Sequence, residues 1–348
     1  MKESLYFSNF YHQTSQGRTS DADFSSQASL HPLPTGSVFV RYPEHTYDAL
    51  PLILKENGYD TSAFHAYEGS FWNRTNMYKE LGYDHFYTKK DYTLDEPLGW
   101  SLGDQSFFRQ SLHYMSQNQQ PFYSFLITLS SHHPYSLPPE LQSLDTDEFE
   151  GTMLGDYLQS VHYVDAALGQ FIEEMKEAGL WDHTILYFYG DHDNSLTDKA
   201  NYEKFLGKSL SSLDFHQMMN QVPLLIHLPA GQLRGVDNKP AGQLDMAPSL
   251  LHLLGISTEQ DYMMGNSLFS SKERLVVQRS GAFSNEKLYY IPSSDSRFDN
   301  GQCYDLTTRE LTNVEQCRVP YDESKKRLSI SDAVITYDLI AKLREESE

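Results

Sequence analysis

The sequence is poor in cysteine, with two in 348 residues. That excludes a disulfide scaffold standing in for a hydrophobic core. It is also poor in positive charge: 27 Lys and Arg face 48 Asp and Glu, giving a net charge of −21 and a pI near 5.0. Nucleic-acid binding rests on neutralising phosphates with basic side chains, so such a surface excludes a nucleic-acid partner. An anionic substrate is not excluded, because a metal ion and a few Arg or His residues reverse the sign locally. Long apolar runs are missing as well. No stretch reaches the ~18 apolar residues of a membrane-spanning helix, and the first residues lack a basic-then-apolar secretory pattern. What is present is a chain that is 39% hydrophobic and 13% aromatic, enough for the core of one large or two ordinary domains.

Cys303 and Cys317 lie in a polar stretch beside the turn signal Asn300-Gly301. In an oxidising compartment they would close a small loop as a disulfide, worth roughly 3 kcal/mol. In a reducing one they would be free thiols. No second Cys or His pair accompanies them, which argues against a zinc site.

Strand-length apolar runs alternate with helical patterns. Tyr59 to Phe64 reads as a strand after a helix stopped at Asn57-Gly58. Phe122 to Leu129 reads as a strand buried on both faces. Met153 to Ala178 places Leu154, Leu158, Val161, Val164, Leu168, Phe171 and Met175 at helical spacing, closed by Gly179. Thr184 to Tyr189 and Val222 to Leu228 are further strands, with Pro223 marking an edge or a strand start. Met246 to Leu254 is a short apolar helix. This β-α-β-α order predicts an α/β fold with a mostly parallel central sheet flanked by helices. Residues 136 to 152 read as an exposed loop. From about Arg279 the pattern changes to a few antiparallel strands, including Leu288 to Ile291, then a terminal helix from Ser331 to Arg344. The expected division is therefore 1–278 and 279–348.

Four segments carry chemistry. Tyr189-Gly190-Asp191-His192 ends an apolar strand in an oxygen and an imidazole donor, a pairing suited to a metal at a strand's carboxyl end. Gln16-Gly17-Arg18-Thr19-Ser20-Asp21 puts hydroxyls at a prospective helix N-terminus. There Thr19 or Ser20 either caps the helix or, beside a metal, becomes a nucleophile. Phe71-Trp72-Asn73-Arg74, with His65 upstream, suits a phosphorylated polyol: Arg grips phosphate oxygens and Trp offers an apolar wall. Trp packed on an Arg stem is the structural alternative. Ser130-Ser131-His132-His133 follows a strand, where a histidine faces an active site or is structural.

In this order and approximate spacing, these segments and Val222-Pro223-Leu224-Leu225-Ile226-His227 resemble those of lipoteichoic acid synthases. Asp245-Met246-Ala247-Pro248-Ser249-Leu250-Leu251 is similar to a segment of the wider sulfatase and alkaline-phosphatase superfamily. The resemblance covers nearly the whole chain. It implies a sulfatase-like fold acting on the extracellular face of a bacterial cell membrane. It implies transfer of glycerol phosphate from phosphatidylglycerol onto a polymer, with release of diacylglycerol, through a covalent threonine intermediate. By motif, Thr19 would be the nucleophile. Asp191, His192 and Thr19 would hold Mn²⁺ or Mg²⁺. His65, Trp72, Arg74 and His132 would bind the headgroup.

The sequence departs from that pattern. Membrane helices and a Glu-bearing strand ahead of the threonine motif are not in it, so the expectation is an N-terminally incomplete domain whose membrane association lies in a region absent here. Asp193-Asn194 stand where the family has an aromatic and Gly. Two alternatives remain: another phosphotransferase or phosphodiesterase of the superfamily, or a non-catalytic glycerol-phosphate-binding fragment. A sulfatase proper needs a Cys or Ser nucleophile for conversion to formylglycine, and neither cysteine is near a strand-end site.

Overall fold

The run of large side chains ahead of Asp191 forms a strand, Leu186–Tyr189, as aromatic residues on a pleated surface favour. It pairs antiparallel with Leu224–His227, which pairs antiparallel with Ser4–Phe7. Ser4–Phe7 in turn runs parallel to Gly235–Asp237, completing a four-stranded mixed sheet. Pro223 stands immediately before Leu224–His227, so it marks the start of an interior strand, where its missing N–H costs the ladder nothing. The computed structural model describes residues 3–347. They fall into two compact units, one holding the chain up to Leu50, Leu186–Asp193 and everything from Leu206, the other Pro51–Ile185 and Asn194–Phe205.

The first unit also contains the expected C-terminal antiparallel strands. They form a five-stranded sheet in the order Leu275–Val277, Phe283–Asn285, Leu288–Ile291, Gln302–Asp305, Glu310–Thr312. Cys303 and Cys317 are disulfide-bonded and pack with Phe283, Tyr290 and Phe298. The terminal helix corrects the sequence expectation. It begins at Arg318, runs to Tyr337, and resumes as Leu339–Ser347 after Asp338 turns left-handed. Its buried stripe is Ser324, Leu328, Ser331 and Ile335. Half of that stripe is serine, so hydrophobic spacing does not reveal the first turns.

The second unit is built on a three-stranded parallel sheet in the order His85–Tyr87, Asp60–Phe64, Phe122–Leu126. The strand starting at Phe122 ends at Leu126, not Leu129, and most of its residues are half-buried. Helix Met153–Glu177 starts at the Thr152 cap, whose hydroxyl accepts from Gly155 N at 3.1 Å. Leu154, Val164, Phe171 and Met175 are buried, whereas Val161 points outward and is 40% exposed. The helix lies against Asp104–Met115. The stretch 136 to 152 is not wholly exposed: Leu137 and Phe149 are buried and two short 3-10 turns order it. Among the described residues no helix is long and apolar enough to cross a membrane.

Candidate active site

Helix Thr19–Ala28 begins directly at the threonine. Asp21 builds the turn before it: one carboxylate oxygen accepts from Ser15 N at 2.8 Å and from Gly17 N at 2.9 Å. A Cβ on Gly17 would meet Asp21 Oδ1 at 2.2 Å, so the position needs glycine. Burial pushes the Asp21 carboxyl up to about 6. Arg18 occupies the cap position with φ of 48° and makes no side-chain cap bond. Such a conformation is uncommon for a residue with a Cβ and persists only when its surroundings hold it. Ser20 does not cap either, since its hydroxyl donates to Gly17 O at 2.8 Å or shares a proton with Ser37. The capping alternative therefore does not hold for Thr19 or Ser20.

Thr19 Oγ1 instead lies 3.2 Å from His192 Nε2. Asp191 Oδ2 is 3.4 Å from the same nitrogen. Gly190 makes this corner feasible, because a Cβ there would meet Val222 Cβ at 2.8 Å. His192 Nδ1 lies 2.8 Å from Asp193 O and 3.0 Å from Arg18 Nη2, so these two neighbours hold the ring by Nδ1 and leave Nε2 facing Thr19. The Asp193 carbonyl also accepts from Arg18 at 3.0 Å, and the Asp193 carboxylate pairs with Arg18 at 2.7 Å. His12 Nε2 is 3.8 Å from that carboxylate. Burial holds His12 down at about 4, so it is neutral at physiological pH.

The structure thus brings Thr19, Asp191 and His192 together in the first unit. Among the described residues no three His, Cys, Asp or Glu side chains form a metal-binding group. The set here is two such side chains plus a hydroxyl. Its donors, a carboxylate oxygen, an imidazole nitrogen held by an outer hydrogen bond, and a hydroxyl oxygen, suit a hard or borderline divalent ion.

In the second unit His65 and Arg74 are buried, Trp72 is half-buried and His132 is exposed. His65 Nδ1 donates to Ile127 O at 3.1 Å. Burial, then the nearby Arg74 charge, push His65 down to about 3. Arg74 Nε donates to Tyr78 OH at 3.1 Å. Trp72 has a left-handed backbone and packs on Phe71, their ring centres 5.8 Å apart. His132 lies against Trp100 at 4.3 Å. Asp104 holds the loop that carries it, accepting from Leu129 N and Ser130 N at 3.0 and 3.3 Å.

Arg18, Asp193 and His12 beside Thr19 and His192 in the first unit, and Trp100 and Asp104 beside His132 and its loop in the second, are neighbours that reading the sequence missed. Asp193 had a local signal, its place directly after Asp191-His192. The others gain their role only from partners far away in the chain.

The chain is similar to curated and to structurally solved proteins. Lipoteichoic acid synthase 2 of Bacillus subtilis (strain 168) is 36% identical over 344 residues, which is 97% of this chain and 52% of that protein. The chain spans about half the length of the curated relatives it matches. The crystal structure of the lipoteichoic acid synthase LtaP from Listeria monocytogenes superposes with a TM-score of 0.88 at 28% identity, covering 95% of this chain and 83% of that one. A Vibrio parahaemolyticus protein of the alkaline phosphatase superfamily shares the fold, with a TM-score of 0.76 at 22% identity over 97% and 80% of the two chains. The sulfatase family model matches residues 1–256, the stretch that contains the helix-opening threonine and the strand-end Asp-His pair, and on that match the chain belongs to the sulfatase family.

Proposed function

We propose that this chain is the catalytic portion of a phosphoglycerol transferase on the extracellular face of a bacterial membrane. It moves glycerol phosphate from phosphatidylglycerol onto a lipoteichoic acid polymer. One observation carries the reading: a threonine hydroxyl at the start of a helix lies 3.2 Å from His192 Nε2, beside the Asp191 carboxylate. The likeness to lipoteichoic acid synthases supports the choice of substrate.

Thr19 Oγ1 attacks the headgroup phosphorus. A bond from Thr19 to phosphorus forms as the ester to diacylglycerol breaks, and diacylglycerol leaves with the proton. A hydroxyl of the growing polymer then attacks the same phosphorus and frees Thr19. Asp191, His192 and Thr19 would hold Mn²⁺ or Mg²⁺, whose contribution when bound is to lower the pKa of the Thr19 hydroxyl and stabilise charge on the phosphoryl oxygens. The chain's own groups set the geometry. Arg18 and the Asp193 carbonyl hold the His192 ring by Nδ1, and the helix N-terminus at Thr19 favours negative charge. In the second unit His65, Trp72, Arg74 and His132 recognise the headgroup. His65 is neutral, and with Nδ1 committed to Ile127 its Nε2 is an acceptor for a glycerol hydroxyl.

The test is incubation with Mn²⁺ and fluorescent phosphatidylglycerol, following diacylglycerol release and searching the Thr19 peptide for a glycerophosphoryl adduct by mass spectrometry. Release together with the adduct supports the reading. Release without polymer growth, all product going to water, points to a phosphodiesterase. Glycerol phosphate binding without release makes the chain a binding module.

A further inference from the structure

Gln243 is fully buried, at 0% exposure, and uses both ends of its amide. Its Nε2 donates to the Asp191 carbonyl at 2.6 Å. Its Oε1 accepts from Gln13 N at 2.8 Å. A second buried amide locks the first. Gln13 Oε1 accepts from Leu244 N at 3.0 Å, and Gln13 Nε2 donates to Val277 O at 2.8 Å. Gly242 makes room for the Gln13 side chain, since a Cβ there would meet Gln13 Oε1 at 2.3 Å. The orientation of Gln243 is unique. Turned over, it would set oxygen against the Asp191 carbonyl and N–H against the Gln13 N–H, and both hydrogen bonds would be lost.

We propose that Gln243 is a positioning residue for the ion-binding and nucleophile segments. Its single amide ties the backbone leading into Thr19 to the backbone of Asp191, so the Thr19, Asp191 and His192 donors are placed before any ion arrives. The inference rests on the reading under Proposed function for what those donors do, but not for the clamp itself. The amide's two bonds go to the two segments that bear the site. A role in general core packing would not select those partners.

The test compares the unmodified chain with Gln243→Met, which keeps the volume and removes the amide, and Gln243→Glu, which keeps the acceptor for Gln13 and puts an oxygen against Asp191. Ser249→Ala is the control. Ser249 is equally buried and holds Asp245 O and Leu268 N. Two quantities are measured: Mn²⁺ affinity by calorimetry, and hydrogen exchange of the ion-free proteins by mass spectrometry.

Both Gln243 variants are expected to lose about tenfold or more in Mn²⁺ affinity, the usual effect of losing an outer hydrogen bond to a metal site. Exchange is expected to rise at residues 13–20 and 189–193 and to stay unchanged at 302–305. The control should keep its affinity whatever its melting temperature. Affinity within twofold of the unmodified chain, or loosening confined to the helix after Asp245, overturns the proposal. If the unmodified chain binds no Mn²⁺, the ion reading fails. The clamp is then judged by exchange alone, and unchanged exchange at 13–20 and 189–193 overturns it. Should Gln243→Met not fold, Gln243→Asn, whose shorter side chain withdraws the amide from both partners, is read in the same way.

Discussion

At Thr19 a hydroxyl at the head of a helix caps no backbone N–H and faces an imidazole instead. Its removal therefore separates chemistry from stability. Thr19→Ala is expected to abolish diacylglycerol release while changing stability by no more than about 0.5 kcal/mol, as for a partly exposed group outside the core. Thermal melting and the lipid assay check this together, and gross unfolding would show that the hydroxyl is structural. Arg74 differs because it is buried against Tyr78. Arg74→Lys keeps the charge but loses the planar fork. It should weaken glycerol phosphate binding by roughly tenfold, the worth of one charge-assisted hydrogen bond, and leave Mn²⁺ affinity unchanged. Equal loss of both in calorimetry would refute its assignment to the headgroup. The motifs that single out Thr19, Asp191 and His192 were legible in the sequence, because each is a short run of neighbouring residues. The pairing of Arg18 with Asp193 was not, because nothing near Arg18 shows that its partner lies beyond residue 190.

Among the elements, strands with dense apolar runs and the helix Met153–Glu177 were readable, since their periodicity is local. The helix Arg318–Tyr337 was only half readable, because serines share its buried stripe. The sheet preceding it is tied to the start of that helix by the bond between Cys303 and Cys317, which closes a loop of sequence separation 14. A loop of that length contributes roughly 3 kcal/mol. For a chain of this size, reduction or Cys303→Ser with Cys317→Ser should then lower the melting temperature by about 4 °C. Calorimetry with and without reductant measures it, and coincident melts would show that the bond adds nothing.

Across the whole molecule, buried titratable groups set the response to acid. Burial lowers His12 and His216 to about 4, and His31 and His65 to about 3, from the ordinary 6.5. The unfolded chain takes up these protons near pH 6.5 and the folded chain does not. Their contribution is thus complete above pH 6.5 and is lost as pH falls toward 4. Asp21 and Asp104, raised to about 6 by burial, and Asp245, also raised by burial, work in the opposite sense, because the folded chain holds their protons where the unfolded chain releases them. Four histidines outweigh three carboxyls, so the melting temperature should fall between pH 6.5 and 4. His65→Gln should flatten that slope. A melting temperature that is constant or rising over this range would contradict the assignment of neutral buried histidines.

The sequence by itself determined the class of fold, the main elements and the segments proposed to bear chemistry, because hydrophobic period, glycine stops and short motifs are properties of neighbouring residues. Only the tertiary structure decided which segments meet. Thr19 faces His192 across 173 residues of chain, and Gln243 reaches Asp191 across 52. Those approaches depend on the register of Leu186–Tyr189 on Leu224–His227 and on close backbone contact at Gly190. Register is a cooperative, long-range property: a shift of one residue turns every side chain of a strand to the other face. No local pattern encodes it, so the strand was visible in the sequence while the contacts of the His192 that follows it were not.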